Sequence, residues 1–256
     1  MTSESDLSVA LEAVRAGAAA LTATYGTVLE RTYKTDTDFA TAADVASERA
    51  ILDVIRRARP DDGFLGEELG DAGAATRDRV WLVDPLCGTL NYAATTPLFC
   101  VNVALRGPDG TEVAAVGDPS AGEIYWADGD RFGIEGRGTP AGPVGLVDID
   151  VDWAPDGVPI GTRLMADPGF RSRFGARVSS TSLALAWVAT GRRAAYLVDG
   201  RHEGSVHFAA GLALCEAAGC VVSDFRGRPV HTGAGILAAA DVETHQVLLD
   251  LVAPHL

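Results

Sequence analysis

Trp81-Leu82-Val83-Asp84-Pro85-Leu86-Cys87-Gly88-Thr89-Leu90-Asn91-Tyr92 is the stretch on which the reading of this chain turns. Arg79 to Asp84 is a short apolar run and predicts a strand that breaks at Pro85, which has no amide to donate. Asp84 closes the run. Gly88 and Thr89 open a helix, so their amides can hold a phosphate at its positive end. Upstream, Glu67 of Gly66-Glu67-Glu68 supplies a second carboxylate. With the Leu86 carbonyl, Glu67 and Asp84 make a set of hard oxygen ligands suited to Mg²⁺. Cys87 interrupts that set with a soft thiol.

Composition bounds the rest. A chain of 256 residues, 47% apolar, is long enough to bury a full core. A formal net charge of −14 argues against a nucleic-acid partner, whose phosphates need Lys and Arg. No apolar run reaches the roughly 18 residues of a membrane span, and Met1 to Asp6 lacks the basic start of a secretory signal. Cys87, Cys100, Cys215 and Cys220 show no paired CxxC spacing and read as reduced thiols of a cytoplasmic protein. Lys34 is the single lysine against twenty arginines, which leaves little room for Schiff-base chemistry.

Outward from the quoted stretch, apolar residues at helical spacing predict a helix from Leu7 to Leu29 and a second from Thr41, with Val45, Leu52 and Ile55 inward. Phe99 to Leu105 and Thr111 to Ala127, separated by Pro108-Asp109-Gly110, predict antiparallel strands. Gly129 to Pro159, rich in Gly, Asp and Pro, reads as a loop or boundary. Helices follow at Ser182–Thr190, His207–Ala218 and from Val242, with strands at Ala194–Val198, Cys220–Ser223 and Gly235–Ala239. The alternation predicts a layered α/β protein without a Rossmann or P-loop glycine pattern. We expect an N-terminal half (1–140) carrying the metal and phosphate motif and a C-terminal half (141–256) completing the cleft, together one compact unit.

Five segments in order resemble the inositol monophosphatase family. They are Lys34 to Asp38 leading into Thr41-Ala42-Ala43-Asp44; Gly66-Glu67-Glu68; Asp84 to Tyr92; Gly117-Asp118-Pro119 with Glu123-Ile124-Tyr125; and Ala209-Ala210-Gly211 through Ala217-Ala218-Gly219. The resemblance implies an α-β-α-β-α sandwich, a homodimer and a small-molecule substrate. It also implies that Glu67, Asp84 and Leu86 hold a metal and that Asp44 and Thr89 orient a water. Gly88 and Thr89 would bind phosphate. Ser179, Ser180, Thr181 and His202 would approach the rest of the substrate. Each residue has a plainer reading. Asp44, three residues after Thr41, is a helix cap, and Glu67 and Glu68 are solvated charges.

The chain departs from the family at two metal-binding aspartates, which become Cys87 and His207. Val206 stands at the family's tryptophan, and the stretch before His207 brings Asp199, His202 and Glu203 toward the site. Cys87 and His207 are expected to lie close together. Alone, a cysteine is a small buried hydrophobe and a histidine a structural residue. Together with Asp84 they are a candidate three-ligand zinc site. A free Cys87 thiolate is disfavoured, because a carboxylate about 4 Å away costs it roughly 4 kcal/mol at an effective dielectric near 20. Crowded carboxylates without metal push one another's pKa up, which makes a carboxyl and His207 a general acid and base.

Three functional readings follow. The first is a repurposed enzyme of lyase, cyclase, isomerase or transferase type. It uses Cys87, His207, Asp44 and Thr89 on a small polar metabolite, in a specialised pathway, with ordinary Mg²⁺ phosphatase activity impaired. The second is a divergent metal-dependent phosphomonoesterase on a sugar, cyclitol or nucleotide phosphate, with one divalent cation (Mg²⁺, Mn²⁺ or Zn²⁺) at the surviving site. The third is a non-catalytic relative that binds a metabolite or partner. The cofactor is therefore one divalent cation or none. Ala184 and Ala194 replace polar or acidic residues of the family, which argues against inositol phosphate itself.

Overall fold

The computed structural model describes residues 4–28, 30–36, 38–71, 78–138, 145–152, 157–202, 204–233 and 235–256. The chain divides into two compact units, Met1–Gly138 with Ser205–Leu214, and Thr139–Gly204 with Cys215–Leu256. The boundary expected after residue 140 thus falls after 138. The segment carrying His207 belongs to the earlier unit.

In the first unit α1 (Asp6–Thr24) starts at Ser5, whose hydroxyl accepts from Ser8 N at 3.2 Å. It ends five residues before the expected Leu29, which lies outside the described residues. By length and composition α1 is apolar enough to cross a membrane, contrary to the expectation that no segment is. Its alanines raise the hydropathy, but Val9, Ala10, Ala13, Val14 and Leu21 are buried in the core of this unit, against α2 and the sheet. The strands β1 (Arg31–Tyr33) and β2 (Phe39–Thr41) pair antiparallel, and α2 (Ala42–Ala58) follows directly. Then come β3 (Gly63–Gly66), β4 (Val80–Cys87), the short α3 (Thr89–Ala93), β5 (Cys100–Gly107), β6 (Gly110–Asp118), β7 (Glu123–Asp128) and β8 (Arg131–Glu135).

The strands β3 to β8 form one sheet in sequence order, parallel between β3 and β4 and antiparallel thereafter. Pro108 and Asp109 make the expected turn between β5 and β6. Pro85 does not end β4. The strand runs on to Cys87, with its register against β5 shifted between Asp84 and Cys87. An irregularity of this kind accommodates a residue that cannot donate to the ladder.

The second unit holds β9 (Leu146–Asp150), α4 (Ile160–Ala166), α5 (Pro168–Arg171), β10 (Gly175–Arg177), α6 (Leu183–Ala189) and β11 (Ala195–Val198). Helix α7 (Ala209–Ala217) begins in the first unit and ends in the second. Then β12 (Val221–Ser223), β13 (Ile236–Ala239) and α8 (Val242–Val252) complete the chain, with a final turn at Ala253–His255. The sheet order is β10-β9-β11-β13-β12, with β13 antiparallel to both neighbours. Val147, Ile149, Leu197, Leu237, Phe170 and Leu248 are buried at its core. The stretch expected to be a loop or boundary, Gly129 to Pro159, contains the division after Gly138 and also contributes β8 and β9. Mixed sheets with helices make this a layered α/β fold, as the alternation predicted.

Candidate active site

The end of β4 folds back on itself. Asp84 is fully buried, and its Oδ1 accepts from Leu86 N at 3.1 Å. Gly88 then takes φ +99°, and a Cβ there would meet Leu98 O at 2.7 Å, so only glycine suits the turn. Helix α3 has five residues. A single turn carries little macrodipole, so any phosphate held here relies on the Gly88 and Thr89 amides themselves.

Asp44 serves two ends at once. Its Oδ2 accepts from Thr41 N at 2.7 Å and from Thr41 Oγ1 at 2.6 Å, closing a capping box at the start of α2. Its Oδ1 lies 2.9 Å from Thr89 Oγ1, which also stands 3.0 Å from the Leu86 carbonyl. Cap and site tether are the same carboxylate. Burial pushes the Asp44 carboxyl up to about 6, against the pull of the Thr41 and Thr89 hydrogen bonds.

A second group forms around Asp84. His207 Nδ1 lies 2.7 Å from Asp84 Oδ2 and 3.8 Å from Glu67 Oε2. One donor atom from each of Glu67, Asp84 and His207 falls within 4.8 Å of the others. Among the described residues this is the group of His, Cys, Asp and Glu side chains gathered closely enough for a metal ion, and Cys87 is not in it. His207 follows Ser205, whose hydroxyl accepts from His207 N at 3.3 Å. Glu67 N donates to Val83 O at 3.2 Å, which ties the Glu67 turn to β4.

Charge is densely compensated. Lys34 Nζ contacts Glu67 Oε1 at 2.7 Å and Glu68 Oε1 at 2.6 Å. Burial lowers the Lys34 pKa, but hydrogen bonds to both glutamates outweigh it and the net shift is upward. Burial, then the Asp84 charge, raises the Glu67 pKa, with His207 and Lys34 opposing. For His207 burial pulls the pKa down, and the Asp84 charge and hydrogen bond, then Glu67, carry it up. The imidazole is therefore favoured as a cation beside Asp84.

The structure thus brings together Glu67, Asp84 and His207, and it links Thr89 to both Asp44 and the Leu86 carbonyl. Of the expected Asp84–Cys87–His207 ligand set, Asp84 and His207 fall in the close group, whose third donor is Glu67, delivered by the turn after β3. Ser179, Ser180, Thr181, Asp199 and His202 all belong to the second unit. Thr181 Oγ1 accepts from Leu183 N at 3.3 Å where α6 begins, and Ser180 has φ +48°. His202 Nε2 lies 2.6 Å from Asp199 O. The Asp199 carboxylate accepts from Ile160 N (3.1 Å) and Gly161 N (3.3 Å), so it caps α4. Glu203 lies outside the described residues. The sequence reading overlooked Glu48, a buried carboxyl on α2 that burial pushes up to about 7. Its signal was present as an acid four residues after Asp44, on the same helix face.

The sequence model of the inositol monophosphatase family matches residues 3–141 and 161–256. The chain is 32% identical over 265 residues to the Nus factor SuhB of Salmonella typhimurium, covering 95% of this chain and 94% of that protein. It is 30% identical over 261 residues to an inositol-1-monophosphatase of Caulobacter vibrioides, covering 94% and 98%. In fold it is similar to the extragenic suppressor protein suhB of Bartonella henselae, with a TM-score of 0.85, 24% identity and coverage of 97% and 98%. The ordered motifs, the layered α/β fold and these matches agree: the chain belongs to the inositol monophosphatase family.

Proposed function

We propose that this protein is a divalent-cation-assisted phosphomonoesterase acting on a small polar phosphate ester, with an altered ion site. The observation that carries the reading is the convergence of Glu67, Asp84 and His207 donor atoms within 4.8 Å. Two carboxylate oxygens and one imidazole nitrogen, the latter once an ion displaces its proton, fit a divalent ion, and the nitrogen favours Mn²⁺ or Zn²⁺ over Mg²⁺. When bound, such an ion neutralises phosphate oxygens and acidifies a water. The chain's own residues do the rest. Thr89 donates its hydroxyl proton to Asp44, which leaves its oxygen lone pairs to accept from a water and orient it. As the water loses a proton, Thr89 Oγ1 would accept it while passing its own hydroxyl proton on to Asp44. Lys34 offsets the charge of Glu67 and Glu68, lowering the repulsion an anionic ester meets.

The test is phosphate release from a panel of sugar, cyclitol and nucleotide monophosphates. Wild type is measured beside Cys87→Asp/His207→Asp, with and without chelation. Turnover by wild type that chelation abolishes supports the reading. Turnover by the double variant alone, under every ion supplied, rules it out.

A second reading keeps the fold and moves the chemistry to an acid–base pair. Its support is the 2.7 Å contact between Asp84 and His207, with a Glu67 carboxyl whose pKa is raised beside them. The three-donor convergence of Glu67, Asp84 and His207 suits an ion more directly than an acid–base pair, which puts the repurposed reading second. His207→Ala with an undiminished native reaction would remove it. A homodimer in the cytoplasm acting on a small molecule suits either reading. Relatives bearing the name Nus factor leave the charge-based exclusion of nucleic acid without support from homology.

A further inference from the structure

Three polar residues on one face of α2 each reach a different segment of the candidate site. Asp44 meets Thr89 at the start of α3. Ser47 Oγ donates to Pro85 O at 3.0 Å, within the strand irregularity between Asp84 and Cys87. Glu48 Oε2 accepts from Glu68 N at 2.8 Å and from Leu69 N at 3.1 Å, the two amides that directly follow Glu67. All three side chains are buried, at spacings of three and four residues that align them along the helix.

A fully buried carboxyl in a helix interior is costly, and an apolar residue would fill the place more cheaply. Glu48 is nevertheless there, and Gly66 accommodates it: a Cβ at position 66 would overlap Glu48 Oε1. That oxygen has no hydrogen-bond partner among the described residues, so the carboxyl is spent on one task, gripping the Glu68 and Leu69 amides. A two-amide grip fixes the turn in both position and orientation, where a single bond would leave it free to pivot.

We infer that Glu48, assisted by Ser47, is a positioning residue that aims the Glu67 carboxylate at Asp84 and His207. Glu48 acts on the ion site through the backbone of the 66–69 turn. Ser47 acts through the Pro85 carbonyl, which steadies the chain between Asp84 and Leu86. The inference rests on the ion-site reading of Glu67, Asp84 and His207. Metal ligands commonly depend on such outer partners, whose loss costs roughly 10–100-fold in metal affinity.

Two measurements on the full chain test it. Mn²⁺ is titrated calorimetrically into wild type, Glu48→Gln, Glu48→Ala and Gly66→Ala, and amide hydrogen exchange at Glu68 and Leu69 is followed without metal. Gln keeps a carbonyl acceptor, so affinity within about threefold of wild type and retained protection are expected. Ala removes the grip, and the Cβ at position 66 displaces it. Each should weaken Mn²⁺ binding about 10–100-fold and speed exchange at the two amides, with β5 and β6 amides unchanged. Glu48→Ala with wild-type protection or wild-type affinity overturns the proposal. If Glu48→Ala does not fold, Gly66→Ala decides on the same two readouts. If wild type itself takes up no Mn²⁺, the ion-site reading fails. Exchange at Glu68 and Leu69 then judges the grip alone, upheld by loss in Ala with retention in Gln and overturned by equality.

Discussion

Thr89 Oγ1 sits 2.9 Å from Asp44 Oδ1, and this contact joins the first turn of α2 to the turn that leaves β4. The partners are 45 residues apart in sequence. The carboxylate that closes the capping box of α2 is therefore also the acceptor that orients the Thr89 hydroxyl. The two roles separate by mutation.

Thr89→Ala leaves the cap intact and removes the hydroxyl. Phosphatase turnover should fall about 10²–10³-fold, within the range for loss of a positioned proton-transfer group. Thr89→Ser should retain most of it. Equal loss in both variants, by steady-state phosphate release, would speak against a hydroxyl role.

His207→Asp replaces a borderline nitrogen donor by a hard oxygen. Mg²⁺ affinity should rise relative to Zn²⁺ and Mn²⁺, as ligand hardness dictates. Calorimetric titration of each ion into both proteins measures the change. An unaltered ion preference would show that His207 is not a ligand.

Gly88→Ala forces a side chain into φ +99°, with its Cβ 2.7 Å from Leu98 O. Strain of this type costs about 1–3 kcal/mol, before the clash is counted. Urea unfolding should show a lowered midpoint with an unchanged slope. A loss below roughly 0.5 kcal/mol, the level of ordinary surface substitutions, would contradict the geometry.

Asp150 sets a pH dependence of stability in the second unit. Its carboxyl is buried, accepts from Asp152 N (3.0 Å) and Tyr196 Oη (3.1 Å), and is pushed by burial up to about 6. The folded state thus holds this proton more tightly than the unfolded chain, whose aspartate titrates near 3.9. Between about pH 4 and pH 6 the native state holds this proton where the unfolded chain does not, so the contribution of Asp150 to stability falls as pH rises through that window and is level above it. The loss is on the order of 1–3 kcal/mol. Asp150→Asn should make the fall across the window shallower, leaving the share of the other raised carboxyls such as Asp44, and be at least as stable as wild type at pH 7. Denaturant melts at pH 4, 5, 6 and 7 compare the two, and parallel profiles would exclude Asp150 as the cause.

Much of the fold was legible because its signals are local. Thr41 and Asp44 sit three apart and form the predicted cap, and Pro108-Asp109-Gly110 makes the predicted turn. Pro85 misled the reading, since its missing amide is accommodated by a register shift that only pairing with β5 displays. The strand Leu146 to Asp150 is hidden within Gly129 to Pro159, whose Gly, Asp and Pro content predicts a loop or boundary. Its two carboxylates prove buried, Asp148 against Arg193 at 2.5 Å and Asp150 against Tyr196.

The sequence by itself determined the family, the order of its motifs, and the identities of Glu67, Asp84, Cys87 and His207 at the positions that matter. Those are properties of residue type and spacing. Tertiary structure alone decided that His207 turns to Asp84, 123 residues away, that Glu67 and not Cys87 completes the group, and that Glu48 lies buried behind it. The difference is physical. Caps and turns form from contacts three or four residues apart, whereas the direction of a side chain toward a distant partner exists only after sheet and helices have packed.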